Sequence, residues 1–542
     1  MLISILGFLV VLGPLVIVHE FGHFTFAKIF GVRADIFSIG FGPRMWSKQI
    51  GETEFRVSWI PLGGYVKLFG EDSASKGSPA EQKRALHKQK AWKRFFIFFG
   101  GPLFNFIFAV LIFMAILVIG EPQMASYVGR SVQGSAAQRA GFQSGDQVVS
   151  INGTPVRKFE EVLTHINEHP DLPMTFLVKH PGQTTPKEIR ITPTIQSGYS
   201  VYGEAVNVGE IEGLLPTSRS MTIGVSNPNS PAGRAGIKTG DIALTLNGAE
   251  INDWETLENA YRNLAPSTTF QLQVKTGKAT RNVLLNKPAK ATNLGEDLGL
   301  YSSELFIDKT VKAAPAETAG VRAGDRIVTI HGHKVQSFFE LRDSVQRAGE
   351  KDGKVNVSWE RNGKIMTAAI SPTSTTGRDP SLRKTTQYTI GIVPMLTWAE
   401  PKMILERTWN PFVLVYKATE RMAVYSWRNL VSIKKMFTGD VSVGTLGGPI
   451  LIAKISGESL SRGLIAFLTT MAILSVGLGI LNVLPVPVLD GGHLLLLGIE
   501  SIRGRPLTLR QMEIFQQVGL SLILLLMIVV MRNDLARLPI FQ

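Results

Sequence analysis

Two imidazoles one helical turn apart, with a carboxylate between them, make the first chemistry-bearing group in the chain: His19-Glu20-Phe21-Gly22-His23. On a helix, positions i and i+4 share a face, so both rings can reach one cation. The intervening Glu20 can stand beside an activated water and take its proton. A catalytic zinc takes three protein ligands and keeps one position open, so the pair needs a third partner. The chain has no cysteine, which excludes thiolate ligands and disulfides. Imidazole and carboxylate donors suit zinc, which needs no redox partner. The candidate third ligand is Asp490, which ends the stretch Asn482-Val483-Leu484-Pro485-Val486-Pro487-Val488-Leu489-Asp490-Gly491-Gly492. Pro485 and Pro487 cannot continue a regular helix, so this stretch is expected to be extended. Non-helical backbone at membrane depth survives only when buried in protein or lining a wet cavity. The plainer alternatives are a chance motif at a helix end and an ordinary interfacial aspartate. Against them stands the cost of an ionisable group in an apolar span, about 2.5–3.5 kcal/mol at its centre on insertion scales.

The elements that must position these residues are apolar runs. Residues 1–18, Phe95–Gly120, Leu464–Leu489 and Ile514–Met531 carry no charge. Each approaches or exceeds the roughly 20 residues that cross a bilayer as helix. Residues 1–18 lack the basic start and small-residue cleavage site of a signal peptide. Charged residues are 18% of the chain and mean hydropathy is +0.14, in keeping with a membrane class. The net charge of +14 forms no aromatic-interleaved patch, so nucleic acid is not an expected partner. Many of the cations flank apolar runs instead. Residues 31–94 run from Arg33 to Arg94 with twelve Lys and Arg between and including them, and Arg503, Arg505 and Arg510 follow Asp490. The positive-inside rule makes both loops cytoplasmic, although Arg532 and Arg537 vote the other way. The first run then travels inward and delivers His19 and His23 near the cytoplasmic face. The third run also travels inward, so Asp490 lands at the same depth.

Between the spans one pattern occurs three times: GSAAQRAGFQSGDQVVSINGTPV from Gly134, NSPAGRAGIKTGDIALTLNGAEI from Asn229 and AAPAETAGVRAGDRIVTIHGHKV from Ala313. Each holds a small-residue helix start, Ala-Gly, Gly-Asp, a strand and a two-residue turn, at Asn152-Gly153, Asn247-Gly248 and His331-Gly332. Asn-Gly suits a type I′ hairpin, which needs positive φ at both positions. A helical stretch such as Trp254–Asn263 and strands such as Val355–Trp359 should follow, with closing strands near Val206–Gly209, Leu298–Tyr301 and Thr389–Val393. The pattern resembles the PDZ domain, three in tandem. Such modules bind extended peptides by strand addition or act as spacers and steric filters, and both roles stay open. Residues 407–440 mix aromatic, apolar and basic side chains, as amphipathic helices on the outer membrane surface would. Whether they anchor or gate also stays open.

The chain resembles the site-2 protease family of intramembrane zinc metalloproteases, in its bacterial regulator-of-sigma-E form. HEFGH and N-x-x-P-x-P-x-L-D-G-G carry the resemblance, with Gly40-Phe41-Gly42 and Pro61-Leu62-Gly63-Gly64-Tyr65-Val66-Lys67 in the first loop. It spans nearly the whole chain. It implies that His19, His23 and Asp490 bind zinc and that Glu20 is the general base. It implies that Asn482, with Gly63, Gly64 and Tyr65, meets the substrate backbone or the oxyanion. Capping of a broken helix is the competing role for Asn482. It also implies a re-entrant β-loop, which residues 53–68 would form as a hairpin with a free edge beside the site. The expected architecture is a polytopic helical membrane domain of four transmembrane helices plus that loop, with tandem α+β PDZ domains. The expected division is 1–120 (helices 1 and 2 and the loop), 121–214, 215–304 and 305–396 (PDZ-like), 397–462 (surface helices) and 463–542 (helices 3 and 4). The family's substrates are single-span membrane proteins, such as anti-sigma factors already cut outside, and remnant signal peptides. A bacterial inner-membrane location with extracytoplasmic PDZ domains follows. Three PDZ copies depart from the two typical of such relatives. A membrane-tethered PDZ scaffold would explain the repeats but not the polar motifs inside apolar runs. A metal transporter would need sites reachable from both faces, which four spans and one cluster provide poorly.

Overall fold

The computed structural model describes residues 2–71, 78–200, 205–335, 337–351, 353–378, 384–505 and 507–537. The first apolar run continues straight through the histidine motif as one helix, α1 (Leu2–Ile29). The other long apolar helices are α2 (Ala91–Ile119), α5 (Leu464–Val483) and α7 (Leu509–Ala536), separated in sequence by α3 (Pro411–Thr438), α4 (Pro449–Arg462) and α6 (Asp490–Arg503). Four of these helices are long and apolar enough to cross a bilayer. Val11 and Leu15 of α1, Phe113 and Ile116 of α2, and Phe467 and Val476 of α5 share one buried core. Small residues let α1 and α2 cross closely, as in membrane helix pairs generally. A Cβ on Gly22 would lie 2.1 Å from the Gly100 carbonyl oxygen.

The first loop differs from a hairpin confined to residues 53–68. Strand β1 (Ala34–Ile50) pairs with β2 (Thr53–Leu68), and both bend back on themselves. Ile36 to Ile39 therefore face Glu54 to Val57 on one side and Lys67 to Gly64 on the other. Gly40 and Gly42, at φ 91° and 87°, make the bend in β1. No strand among the described residues pairs with the outer edge of Gly64–Leu68. Glu52 in the tip turn binds Lys28 at the end of α1 (2.9 Å) and Arg84 (2.7 Å), clamping the sheet to the helix that carries the histidines.

Residues 121–396 hold three copies of one module. Each has a four-stranded sheet in the same order: 154–155, 147–151, 174–179, 187–191; then 249–250, 242–246, 269–276, 279–286; then 333–334, 326–330, 355–361, 364–370. Each sheet packs on a helix, Phe159–Glu168, Trp254–Asn263 or Phe338–Glu350. The turn residues Asn152, Asn247 and His331 have φ of 49°, 50° and 50°, and each is followed by a positive-φ glycine. Both are conditions of the type I′ turn. The chain thus combines a membrane domain with PDZ modules. The closing segment of the second copy departs from expectation. Leu298 ends a short helix, Leu294–Leu298, because Gly299 takes a left-handed cap, and the strand begins only at Tyr301.

Buried ions join the modules. Arg130 of the first binds Glu304 at 2.7 Å and lies 3.6 Å from Glu255 of the second, which its own module's Arg219 holds at 2.7 Å, and Glu304 also accepts from the Phe338 N–H of the third. These residues line a polar cavity of about 810 Å³ between the copies. Removing one partner of such a cluster strands a buried charge, at roughly 3–5 kcal/mol. A two-stranded strap, Glu121–Met124 with Met403–Glu406, ties the array to the helices. In α3, Leu414 and Ala418 are buried while Phe412, Tyr416, Trp427 and Phe437 are exposed. Asp534 of α7 accepts from the N–H groups of Gly448, Ile450 and Leu451, so α7 caps the start of α4.

Glu406 is the ionic centre of the strap, bound to Lys158 of the first module and to Lys417 and Arg421 of α3. Burial pushes its carboxyl up, but these cations outweigh that and hold it at about 2 against an ordinary 4.5. A lowered folded value stabilises above the unfolded one and is lost as pH falls from about 4.5 towards 2. Limited proteolysis should therefore cut 397–410 faster over that acid range. Glu406→Gln should show the same sensitivity already at neutral pH.

Candidate metal centre

The helix through the motif places His19 and His23 one turn apart, facing α2 and the start of α6. The long-range element arrives as expected, but its shape differs. α5 ends at Val483 and residues 484–489 form tight turns rather than an extended run. Val488 lies at φ 79°. A β-branched residue there costs of order 1–3 kcal/mol and persists only where the surroundings enforce it. Gly491 and Gly492 provide part of that enforcement. A Cβ on either would press on the carbonyl of Leu484 or Val486, so the glycines let α6 fold back and present Asp490.

His19 Nε2 lies 3.2 Å from His23 Nε2 and 3.1 Å from Asp490 Oδ2, and His23 Nε2 lies 3.4 Å from Asp490 Oδ1. Asp490 Oδ2 is buried and makes no hydrogen bond despite its closeness to the ring. The three groups thus point at a common centre rather than at one another. His23 Nδ1 lies 2.8 Å from the Ile97 carbonyl, which can only accept, so the ring proton sits there and the Nε2 lone pair faces the cluster. A tetrahedral centre with arms of about 2.0–2.1 Å sets its ligand atoms about 3.3–3.4 Å apart, which these residues match. They fit zinc in donor type, spacing and orientation.

Glu20 is half-buried on the same helix, and a Cβ on Gly64 would lie 3.1 Å from its Cγ. The sheet edge Gly64–Leu68, which has no strand partner among the described residues, therefore passes directly by this carboxylate. Gly63 has φ 151°, and Tyr65 stacks parallel on Phe41 with centroids 6.2 Å apart. Asn482 lies in the last turn of α5, half-buried and without a protein hydrogen bond among the described residues, so it does not cap the break.

Three contributors had no motif to announce them. Asn105, wholly buried in α2, places its amide 3.0 Å from His19 Nδ1, and its carbonyl accepts from Ser475 Oγ of α5 at 2.7 Å. The carbonyl of Ile97 is the second. Gly101 is the third, since a Cβ there would lie 2.3 Å from His23 Nε2. A lone asparagine in an uncharged run was the available signal for the first. Glycine inside a spanning helix was a weak one for the last.

Comparison with known proteins points the same way. The profile of Peptidase family M50 matches residues 7–526. A Neisseria meningitidis protein whose description names a zinc metalloprotease is 30% identical over 537 residues, covering 99% of each chain. The regulator of sigma E protease of Haemophilus influenzae is 28% identical over 538 residues, again covering 99% of each. The regulator of sigma-E protease RseP of Escherichia coli K12 is 27% identical over 542 residues, covering 98% of each.

Gly101→Val would thrust two methyl groups into the space between the rings. The purified variant should remain folded but lose bound metal, falling from about one equivalent to background by elemental analysis.

Proposed function

Because the chain belongs to peptidase family M50, we propose that it is an intramembrane zinc endopeptidase that cuts the spanning segments of single-span proteins. The convergence of His19, His23 and Asp490 from opposite ends of the chain carries this reading. In it these three residues hold the zinc. A bound zinc supplies Lewis-acid activation of water and of the scissile carbonyl. Glu20 takes the proton of the attacking water and passes it to the departing amine. It sits next to the histidines in sequence and beside the sheet edge Gly64–Leu68 in space.

A helical substrate hides its amides, so it must unwind before cleavage. Pairing with the edge Gly64–Leu68 would satisfy the exposed N–H and C=O groups that apolar surroundings otherwise penalise. Gly63, Gly64 and Tyr65 line that edge, and the unengaged amide of Asn482 meets the substrate backbone or the oxyanion. The exposed Met45, Trp46, Trp59 and Ile60 suit a β-loop dipping into lipid. The exposed aromatic side of α3 suits the outer membrane surface.

The basic loops stay in the cytoplasm and the site lies near that face of the inner membrane. The PDZ array stands outside, with modules divided near 214/215, 304/305 and 396/397. Held together by buried ion pairs and tied down by the strap, the array acts as a steric filter over the membrane domain. Substrates are then proteins whose outer domains have already been trimmed, of the anti-sigma-factor type, and leftover signal peptides. The relatives named for sigma-E regulation support that substrate class.

Glu20→Gln should keep about one zinc while cleavage of a reconstituted single-span substrate falls by at least about 10²–10⁴-fold. Undiminished cleavage would remove Glu20 from the mechanism. Excising 121–396 should let untrimmed substrates be cut. Loss of all cleavage with zinc retained would instead favour docking by the array.

A further inference from the structure

We propose that Asn105 is the positioning residue that sets the tautomer of His19, presenting its amide oxygen, not its NH₂, to Nδ1. The inference rests on the metal reading above. His19 Nε2 faces His23 Nε2 and Asp490 Oδ2 at 3.2 and 3.1 Å, so a cation held there uses the Nε2 lone pair. A neutral imidazole with its lone pair on Nε2 carries its proton on Nδ1, and Nδ1 can then only donate. The structure sets the Asn105 Nδ2 3.0 Å from that nitrogen, donor against donor, and leaves Oδ1 buried without a partner. A half-turn of the amide about its last torsion removes both faults at once. The two ends of an amide are nearly the same size, so the turn disturbs no packing. Oδ1 then accepts from Nδ1–H.

The same arrangement already exists at the other ring, where the Ile97 carbonyl receives the Nδ1 proton of His23 at 2.8 Å. Both histidines thus hold the same tautomer through different acceptors. Asn105 is itself pinned, because Ser475 Oγ of α5 donates to its backbone carbonyl at 2.7 Å. One residue thereby links the helix of the histidines to α2 and α5, by its side chain on one side and its backbone carbonyl on the other. Such outer partners fix ring orientation and raise ligand basicity, and losing one costs about 10–100-fold in metal affinity.

The test is zinc affinity by chelator competition on the full-length protein in detergent, with the cobalt-substituted absorption spectrum as second readout. Asn105→Asp keeps an acceptor and removes the donor, so affinity should stay within about threefold of wild type and the cobalt bands should be preserved. Asn105→Leu keeps the size and removes the acceptor, so affinity should fall about 10–100-fold and the bands should shift. Equal losses in both variants, or wild-type affinity in Asn105→Leu, overturn the proposal. If Asn105→Asp does not fold, Asn105→Ser replaces it. Its hydroxyl can accept, so its affinity should exceed that of Asn105→Leu, and equality overturns the proposal. Wild-type protein that binds no zinc would sink the metal reading itself, a result separate from any difference among the Asn105 variants.

Discussion

Lone pairs on two imidazole nitrogens and a carboxylate, 3.1–3.4 Å apart inside an apolar bundle, repel one another unless a cation stands between them. That constraint organises the membrane domain. The ring protons must point away from the centre, so acceptors must wait behind each ring, on α2. The carboxylate must arrive from another span at the same depth, so a third helix must break within reach. A bilayer offers no water to mend a missing partner, which makes each of these requirements strict. A single unsatisfied group here would cost more than most surface substitutions do.

Shape follows from the same demand. α1 and α2 approach until Gly22 meets Gly100, and only glycine leaves that space. Gly101 then clears the volume beside the rings. On the opposite side the chain turns through Val488 in a strained conformation, held by Gly491 and Gly492 beneath it and by Gly519 of α7 against Pro487. The bent β1–β2 sheet brings an edge with no strand partner among the described residues past Glu20, and Glu52 anchors its far turn to Lys28 at the end of the helix that carries the histidines. His19, Glu20 and His23 thus share one rigid element, α1, to which the sheet is also anchored.

Outside the bundle, repeated local rules give three similar modules, and individual side chains differentiate them. In each, the aspartate of the Gly-Asp pair accepts from a backbone N–H three residues earlier: Asp146 from Gln143, Asp241 from Lys238, Asp325 from Arg322. The side chain facing that aspartate differs: His180 in the first copy, Arg281 in the second and Arg361 in the third. Arg130 makes buried ionic contacts across copies, with Glu255 and Glu304, and this suits a fixed array better than beads on a string.

Much of this was legible in the amino-acid order, for physical reasons that act over short distances. Helical period put His19 and His23 on one face, prolines ended α5, Asn-Gly pairs set the hairpin turns, and apolar length marked the spans. The pairing of HExxH with Asp490 was inferable because both motifs lie at the ends of long apolar runs. What tertiary structure alone decided are contacts between chain segments that no local rule joins. Asn105 behind His19, the carbonyl of Ile97 behind His23, the Arg130–Glu304 bond across modules and the doubled-back sheet all depend on how helices and strands cross. Periodicity tells which face of a helix is apolar. It does not tell which atom of a neighbouring helix will meet a given nitrogen, because that depends on the closeness and angle of packing, set here by glycines whose role appears only once the helices touch.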